Sequence, residues 1–154
     1  MLREVGLSHM SRTAIRPAVV DDLPAVLRLL RSASLPDDVE LHFGNFFVAQ
    51  RDGALVGAVG IESAGDRALL RSLVVEESCR ATGVGTSLAD EAIRHARRIA
   101  VGELFLLTTD AAGFFERLGF ERVPHAQAPA AVRQTRQFSE LCPATAQLMR
   151  LALS

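Results

Sequence analysis

Arg80-Ala81-Thr82-Gly83-Val84-Gly85 has the residue types and spacing to meet an anion. It follows the apolar run 69–75 and leads into a helix-patterned run from Thr86 to about Ala100. A strand, a glycine-rich turn and a helix amino terminus, in that order, leave backbone N–H groups converging on one small volume with the positive end of the helix dipole behind them. A phosphate suits that volume. The bare spacing is short enough to arise by chance, and it is the strand before it and the amphipathic helix after it that make it specific. Without a ligand, the same stretch reads as a flexible strand-to-helix turn.

The elements that must hold this turn fit one domain. The chain has 154 residues, 49% hydrophobic and 23% charged, ordinary for a single globular domain with a sizeable core. We take 13–154 as that domain and set 1–12 aside as an extension or cloning scar without periodicity. A net charge of -1, with no basic block interleaved with aromatics, gives no footprint for nucleic acid. The longest apolar run, 54–61, is far short of the roughly 20 residues that span a bilayer, so no membrane partner is expected. The first twelve residues lack the apolar core of a signal peptide, which points to a cytoplasmic setting. Cys79 and Cys142 are the two thiols, far apart and in no C-x-x-C array, so neither zinc nor any other metal has a signature. In a reducing compartment they read as small, at least half-buried side chains.

Along the chain, 14–17 reads as a short strand, and Asp21 and Asp22 as capping acids of a helix over 21–33 with Leu23, Val26, Leu27 and Leu30 on one face. The stretch 35–43 is irregular or a short second helix. Asp52-Gly53 is a strong hairpin signal between strands at 46–50 and 55–62, and a turn at 64–66 leads to a strand over 68–75. After the glycine turn, Leu88, Ala92, Ile93, Ala96 and Ile99 form one helical face. A strand follows at 104–107, then a helix over 111–118 capped by Asp110 and stopped by Gly119, a strand at 120–123, a helix over 129–138 and a last strand at 146–153.

This order, with the glycine turn after the fourth strand, resembles the GNAT superfamily of acyl-coenzyme A-dependent N-acetyltransferases, over nearly the whole chain. The run 75–85 is similar to its pyrophosphate motif, with Ala81 where glycine is frequent, and Phe114-Phe115-Glu116-Arg117-Leu118-Gly119-Phe120 to its second cofactor motif. The tail, with Phe138-Ser139-Glu140-Leu141-Cys142-Pro143, resembles the N-acetyltransferases associated with arsenic-resistance operons, a family itself similar to amino-acid N-acetyltransferases. The resemblance implies an α/β fold with a mixed, mostly antiparallel sheet splayed between strands 4 and 5 and helices on both faces. It also implies acetyl-CoA as co-substrate, no metal, and a small-molecule amine as acceptor.

Site residues follow from the same resemblance. Arg80, Ala81, Thr82, Gly83, Val84, Gly85 and Thr86 would hold the coenzyme pyrophosphate, Gly83 and Gly85 by close approach, with Arg80 either offsetting charge or simply solvated. Leu73, Val74 and Val75 would line the pantetheine, and an N–H there would polarise the thioester carbonyl. Thr108 and Phe115 fall near the coenzyme, Phe115 where many relatives carry a proton-donating tyrosine. The chain has no tyrosine, so water, Ser72, Ser139 or Cys142 must donate, Ser139 and Cys142 being the preferred pair. Glu62 is the proposed base if burial raises its pKa, and otherwise a solvated strand end. Glu40 and His42 are its runners-up. Arg71, if it points inward, needs an anion and with Ser72 would bind the acceptor, for instance its carboxylate; pointing outward, it is a solvated charge. Arg133 and Arg136 read as a solvated helix face. Two other readings stay open: a non-catalytic acetyl-CoA-binding module, and a direct arsenic binder using Cys79 and Cys142. The apolar tail 148–153 permits a homodimer without requiring it.

Overall fold

In the computed structural model, residues 13–141 and 144–153 are described. Seven strands form one sheet in the order β1-β2-β3-β4-β5-β7-β6: β1 Ala14–Pro17, β2 Phe46–Arg51, β3 Ala54–Ala64, β4 Arg67–Val75, β5 Glu103–Thr108, β6 Glu121–Val123 and β7 Gln147–Ala152. The mixed sheet implied by the resemblance is present: β4 pairs β5 in parallel, while β1 with β2, β2 with β3, β5 with β7 and β6 with β7 are antiparallel. Among the described residues four α-helices accompany it, α1 Leu23–Ser32, α2 Val84–Arg98, α3 Ala112–Arg117 and α4 Ala130–Arg133. The chain divides into two compact units, Met1–Gly60 with Ser72–Ala92 and Ile61–Arg71 with Ile93–Ser154.

In the first unit, β2 and β3 are joined by Asp52 and Gly53, with φ of 51° and 83°. Two successive left-handed residues are what a two-residue hairpin turn demands. The expected helical face of α1 buries Val26 and Leu30 completely against Phe46, Val48, Ala58 and Val74, each large side chain worth roughly 1.5–3 kcal/mol of transfer free energy. Asp21 and Asp22 do not cap α1 with their side chains. A 3-10 turn, Val20–Asp22, precedes the helix, and the Asp22 carboxylate accepts the Val19 N–H at 2.8 Å and both terminal nitrogens of Arg16 at 2.8 and 2.9 Å. That bidentate pair ties β1 to the start of α1 and, with the Val19 N–H, holds the Asp22 carboxyl below the usual carboxylate range. The stretch before β2 contains the 3-10 turn Glu40–Asn45.

In the second unit, Leu69, Phe105, Leu148 and Val123 come from β4, β5, β7 and β6 into one apolar cluster, against which Val132 and Phe138 pack. Both edges of β7 are used, by β5 and by β6. One row further along these strands Arg67, Glu103, Arg150 and Glu121 alternate in sign and pair at 3.0–3.3 Å.

Three further expectations are corrected. The long helix starts at Val84 and ends at Arg98 because Ala100 turns left-handed, φ 64°, with its N–H on Arg97 O and the Val101 N–H on Ala96 O, a terminating motif usually built on glycine. Ile99 therefore lies past the helix and is 41% exposed instead of joining the buried face of Leu88, Ala92, Ile93 and Ala96. Asp110 caps nothing: Ala111 is the N-cap of α3, and its N–H is taken by Thr108 Oγ1 at 3.0 Å. The helix expected over 129–138 stops at Arg133 and resumes as the π-helical turn Gln137–Leu141. Thr135 is the cause, since its hydroxyl donates to Val132 O at 2.7 Å and accepts the Phe138 N–H at 3.3 Å, replacing the ladder with side-chain bonds.

Two outcomes are expected from this packing. Gly60 lies opposite Phe46 across the β2–β3 pair, and a Cβ there would overlap the Phe46 ring. Because that ring is only 1% exposed it has nowhere to go, so Gly60→Ala should cost about 1–3 kcal/mol, read as a lowered melting temperature. For Asp22, a folded-state pKa below the unfolded one gives stability that is present above about pH 4 and lost as pH falls through the depressed value. Asp22→Asn should lower stability at neutral pH and flatten the acid limb of a stability–pH profile, while leaving the neutral-to-alkaline slope unchanged.

Candidate active site

The turn after β4 is built by side chains on its own backbone. Glu76, the first residue past Val75, accepts the Ser78 N–H at 3.0 Å and the Ser78 hydroxyl, opening a 3-10 turn over Glu77–Cys79. Those bonds, the hydroxyl first, hold the Glu76 carboxyl below the usual carboxylate range. Arg80 Nε donates to Val75 O at 3.2 Å, and the Thr82 hydroxyl donates to Cys79 O. Ala81 and Gly83 then take φ of 64° and 90°, reversing the chain so that α2 begins at once. Its first intrahelical bond runs from Ser87 N–H to Gly83 O. The N–H groups of Val84, Gly85 and Thr86 are therefore left unused by the helix ladder, at the positive end of a 15-residue dipole. A Cβ at Gly83 would meet nothing within 4 Å, so the concavity before these amides is open.

What presses the turn against the sheet is Gly57 of β3. A Cβ there would come within 2.8 Å of Leu88 Cδ1 and 3.0 Å of Val74 O, so the absent side chain sets how closely the first turns of α2 approach β3 and β4. Val84 is 3% exposed, so its side chain anchors the helix and only its backbone is left for the turn. Ala81, Thr82, Gly83, Thr86 and Arg80 are exposed, Gly85, Leu73 and Val75 half-buried, and Val74 packs into the core with Val26. Cys79 is buried beneath the turn with Arg51 Nη1 at 3.5 Å from its sulfur.

In the second unit the structure brings Glu62 and Arg71 together. Glu62 shares its strand face with Ala64, and Arg71 shares its own with Leu69; Ala64 and Leu69 belong to one apolar cluster. Glu62 Oε1 lies 2.8 Å from Arg71 Nη1, the two residues being 6% and 3% exposed. Arg71 points inward and has its anion within the chain. The residue after it, Ser72, sits inside β4 with φ 60°, a left-handed conformation that costs a non-glycine residue of order 1 kcal/mol and breaks the alternation of the strand. The parallel ladder to β5 covers only Arg67–Leu69 against Glu103–Phe105, so β4 runs on from Leu70 to Val75 without it.

The other expected site residues have the following surroundings. Thr108 ends β5 and accepts the Ala111 N–H. Phe115 is buried edge-to-face between Phe114 and Phe120, centroids 5.0 and 5.6 Å away. Ser139 is exposed and its hydroxyl donates to Thr135 O at 2.9 Å. Cys142 lies outside the described residues. Arg133 and Arg136 are exposed, Arg136 facing Glu140 at 3.2 Å, and Glu40 is exposed on its 3-10 turn. Sequence reasoning missed Glu76, for which the E-x-S spacing before the turn was the available signal, and Arg51, for which there was none.

Comparison with known proteins adds the family. The acetyltransferase (GNAT) domain family matches residues 42–122. An uncharacterized N-acetyltransferase of Chlorobaculum tepidum is 31% identical over 72% of this chain and 77% of its own. An amino-acid acetyltransferase of Pasteurella multocida is 25% identical over 83% of this chain, which spans only 31% of that protein's length. The fold is shared with the N-acetylglutamate synthase of Neisseria gonorrhoeae, solved with coenzyme A and N-acetyl-glutamate, at a TM-score of 0.80 and 22% identity over 92% of this chain and 35% of that one. With the family matched across its glycine turn and its second motif, this chain belongs to the GNAT acetyltransferases.

Proposed function

We propose that the domain transfers the acetyl group of acetyl-CoA to the amine of a small molecule, an amino acid or a close analogue. The observation that carries this is the turn itself: three amides ahead of the first intrahelical bond, two left-handed residues that aim them, and open space where Gly83 has no side chain. Those amides suit a diphosphate, and the backbone of Thr82 to Thr86 is the cradle, with Arg80 adding charge at its rim. The backbone of Leu73 and Val75, with Val74 anchored in the core, is the rail for the pantetheine arm, and one of its N–H groups is the donor to the thioester oxygen. Thr108 and Phe115 are the further coenzyme contacts we propose. In the transfer the amine nitrogen bonds to the thioester carbon, the carbon–sulfur bond breaks, and the thiolate leaves.

Glu62 and Arg71 are the acceptor residues in this reading. Arg71 takes the acceptor's carboxylate through its guanidinium, with Ser72 beside it, and Glu62 takes the ammonium proton. The amino-acid acetyltransferases among the relatives support a carboxylate-bearing acceptor. The narrower acceptor, an arsenic-containing amino-acid analogue, rests on the tail from Phe138 to Pro143 and belongs in any substrate panel. For the thiolate's proton, Ser139 would first have to release Thr135 O, which favours water or Cys142. A direct arsenic site is a weaker reading, since Cys79 is buried beside Arg51. A homodimer would have to form without adding a strand to β7, which is paired on both sides. A cytoplasmic setting suits the proposed co-substrate.

Four measurements test this reading. Acetyl transfer from labelled acetyl-CoA to a panel of amino acids, with CoA binding by calorimetry, should show Gly83→Ala folded but weakened for coenzyme by about tenfold or more, because an L-residue at φ 90° either strains or re-aims the amides. Uptake of CoA without transfer to any amine would leave only a binding module, and no uptake would remove the reading. For the pair, Arg71→Met alone strands a buried carboxylate and should cost about 3–5 kcal/mol, whereas Glu62→Leu with Arg71→Met should recover most of it. In kinetics, Arg71→Lys should raise KM for carboxylate-bearing acceptors more than for simple amines.

A further inference from the structure

On the first unit a groove of about 730 Å³ opens between α1, the β2–β3 hairpin and the residue that follows β4. Its size is that of small-molecule sites. Its floor is a fixed chain of hydrogen bonds: Asp22 holds Val19 N–H and Arg16, Arg16 Nε reaches Gln50 Oε1 at 3.2 Å, and Gln50 Nε2 reaches Gly53 O at 3.4 Å. Ala25, Gly53 and Ala54 keep the space clear of side chains.

The charges on its walls select a ligand. Arg16 and Asp22 neutralise each other. That leaves Arg28, exposed and in no ion pair among the described residues, on one lining with the carboxylates of Asp21 and Glu76, the latter with Oε1 taken by Ser78 and Oε2 in no hydrogen bond among the described residues. One cation against two anions repels a coenzyme diphosphate, so the groove is not an arm of the glycine turn. It matches instead a molecule with one carboxylate and two basic nitrogens. We propose that this groove is a second binding site, separate from Glu62 and Arg71, for a cationic amino acid, its carboxylate on Arg28 and its two basic nitrogens on Asp21 and Glu76. The ligand is small enough to leave room for bridging water, and the preformed floor means that little ordering cost opposes it.

The test is a titration of the whole chain with L-lysine, followed by backbone amide NMR, with cadaverine as the analogue lacking the carboxylate and L-glutamate as the ligand of opposite charge. Saturable shifts confined to residues 16–32, 50–55 and 76 are expected with lysine, weaker ones with cadaverine and none with glutamate. Arg28→Ala should weaken lysine about tenfold, while its affinity for CoA, measured in the same sample, stays that of the parent chain. The proposal is overturned if lysine shifts residues 62 and 71 instead, if no saturation is reached, if cadaverine or glutamate binds as well as lysine, or if Arg28→Ala leaves lysine binding intact. Because CoA binding is read separately, loss of the coenzyme reading and loss of this groove give different results.

Discussion

The rest of the site depends on where α2 begins. A helix offers free amides only in its first turn, and here that turn is brought against the sheet with no linker between it and the end of β4 but eight residues. Glu76, Arg80 and Thr82 spend their hydrogen bonds on this short segment, and Gly57 lets the helix seat against Val74 O and Leu88. The free energy that holds the amides in place thus comes from neighbours on both sides of the turn. It is present in the folded chain without any ligand, which is what preorganisation would mean for the coenzyme site proposed here.

Glu62 and Arg71 pose the opposite problem. Two charges lose their hydration in exchange for one another, and such a pair seldom stabilises a fold more than well-packed apolar residues would. Around it the sheet is apolar, with Ala64, Leu69, Phe105 and Leu148 in one cluster. A buried guanidinium and carboxylate set beside a left-handed Ser72 therefore concentrate desolvation and backbone strain in three residues. Strain and unneeded charge in one place are commonest where a chain binds something, and the acceptor role proposed for the pair uses both.

Much of this was legible in the residue pattern, and the exceptions have physical causes. Asp52-Gly53 and the glycine turn were readable because glycine and aspartate mark left-handed backbone. Ala81, Ala100 and Ser72 adopt the same conformation without a residue type that announces it, so the residue pattern carries the helix two residues too far and puts Ile99 on its apolar face. Thr135 broke a helix that its neighbours' periodicity supported, because a hydroxyl bonding to nearby backbone leaves no trace in hydrophobic spacing. Glu62 and Arg71 each stood out alone as charges in apolar strands; that they neutralise one another depends on cross-strand register, which two separate strand patterns do not encode. Glu76 was passed over for a similar reason, since its role is a local bond and not a periodicity.

The missing tyrosine bears on how transfer can proceed. Phe115, which the resemblance sets at the position of that donor, is packed edge-to-face between Phe114 and Phe120 and carries no hydroxyl. General acid catalysis is worth roughly 10²–10⁴ in rate, whereas holding two reactants in reacting geometry reaches effective concentrations of roughly 10⁵–10⁸ M. A thiol of pKa near 8.5 also leaves as the thiolate with little help near neutral pH. In the reading proposed above, the turn would fix the coenzyme through its amides and Arg71 would fix the acceptor, which keeps the larger of the two contributions. On these magnitudes the loss of the acid slows such an enzyme without disabling it.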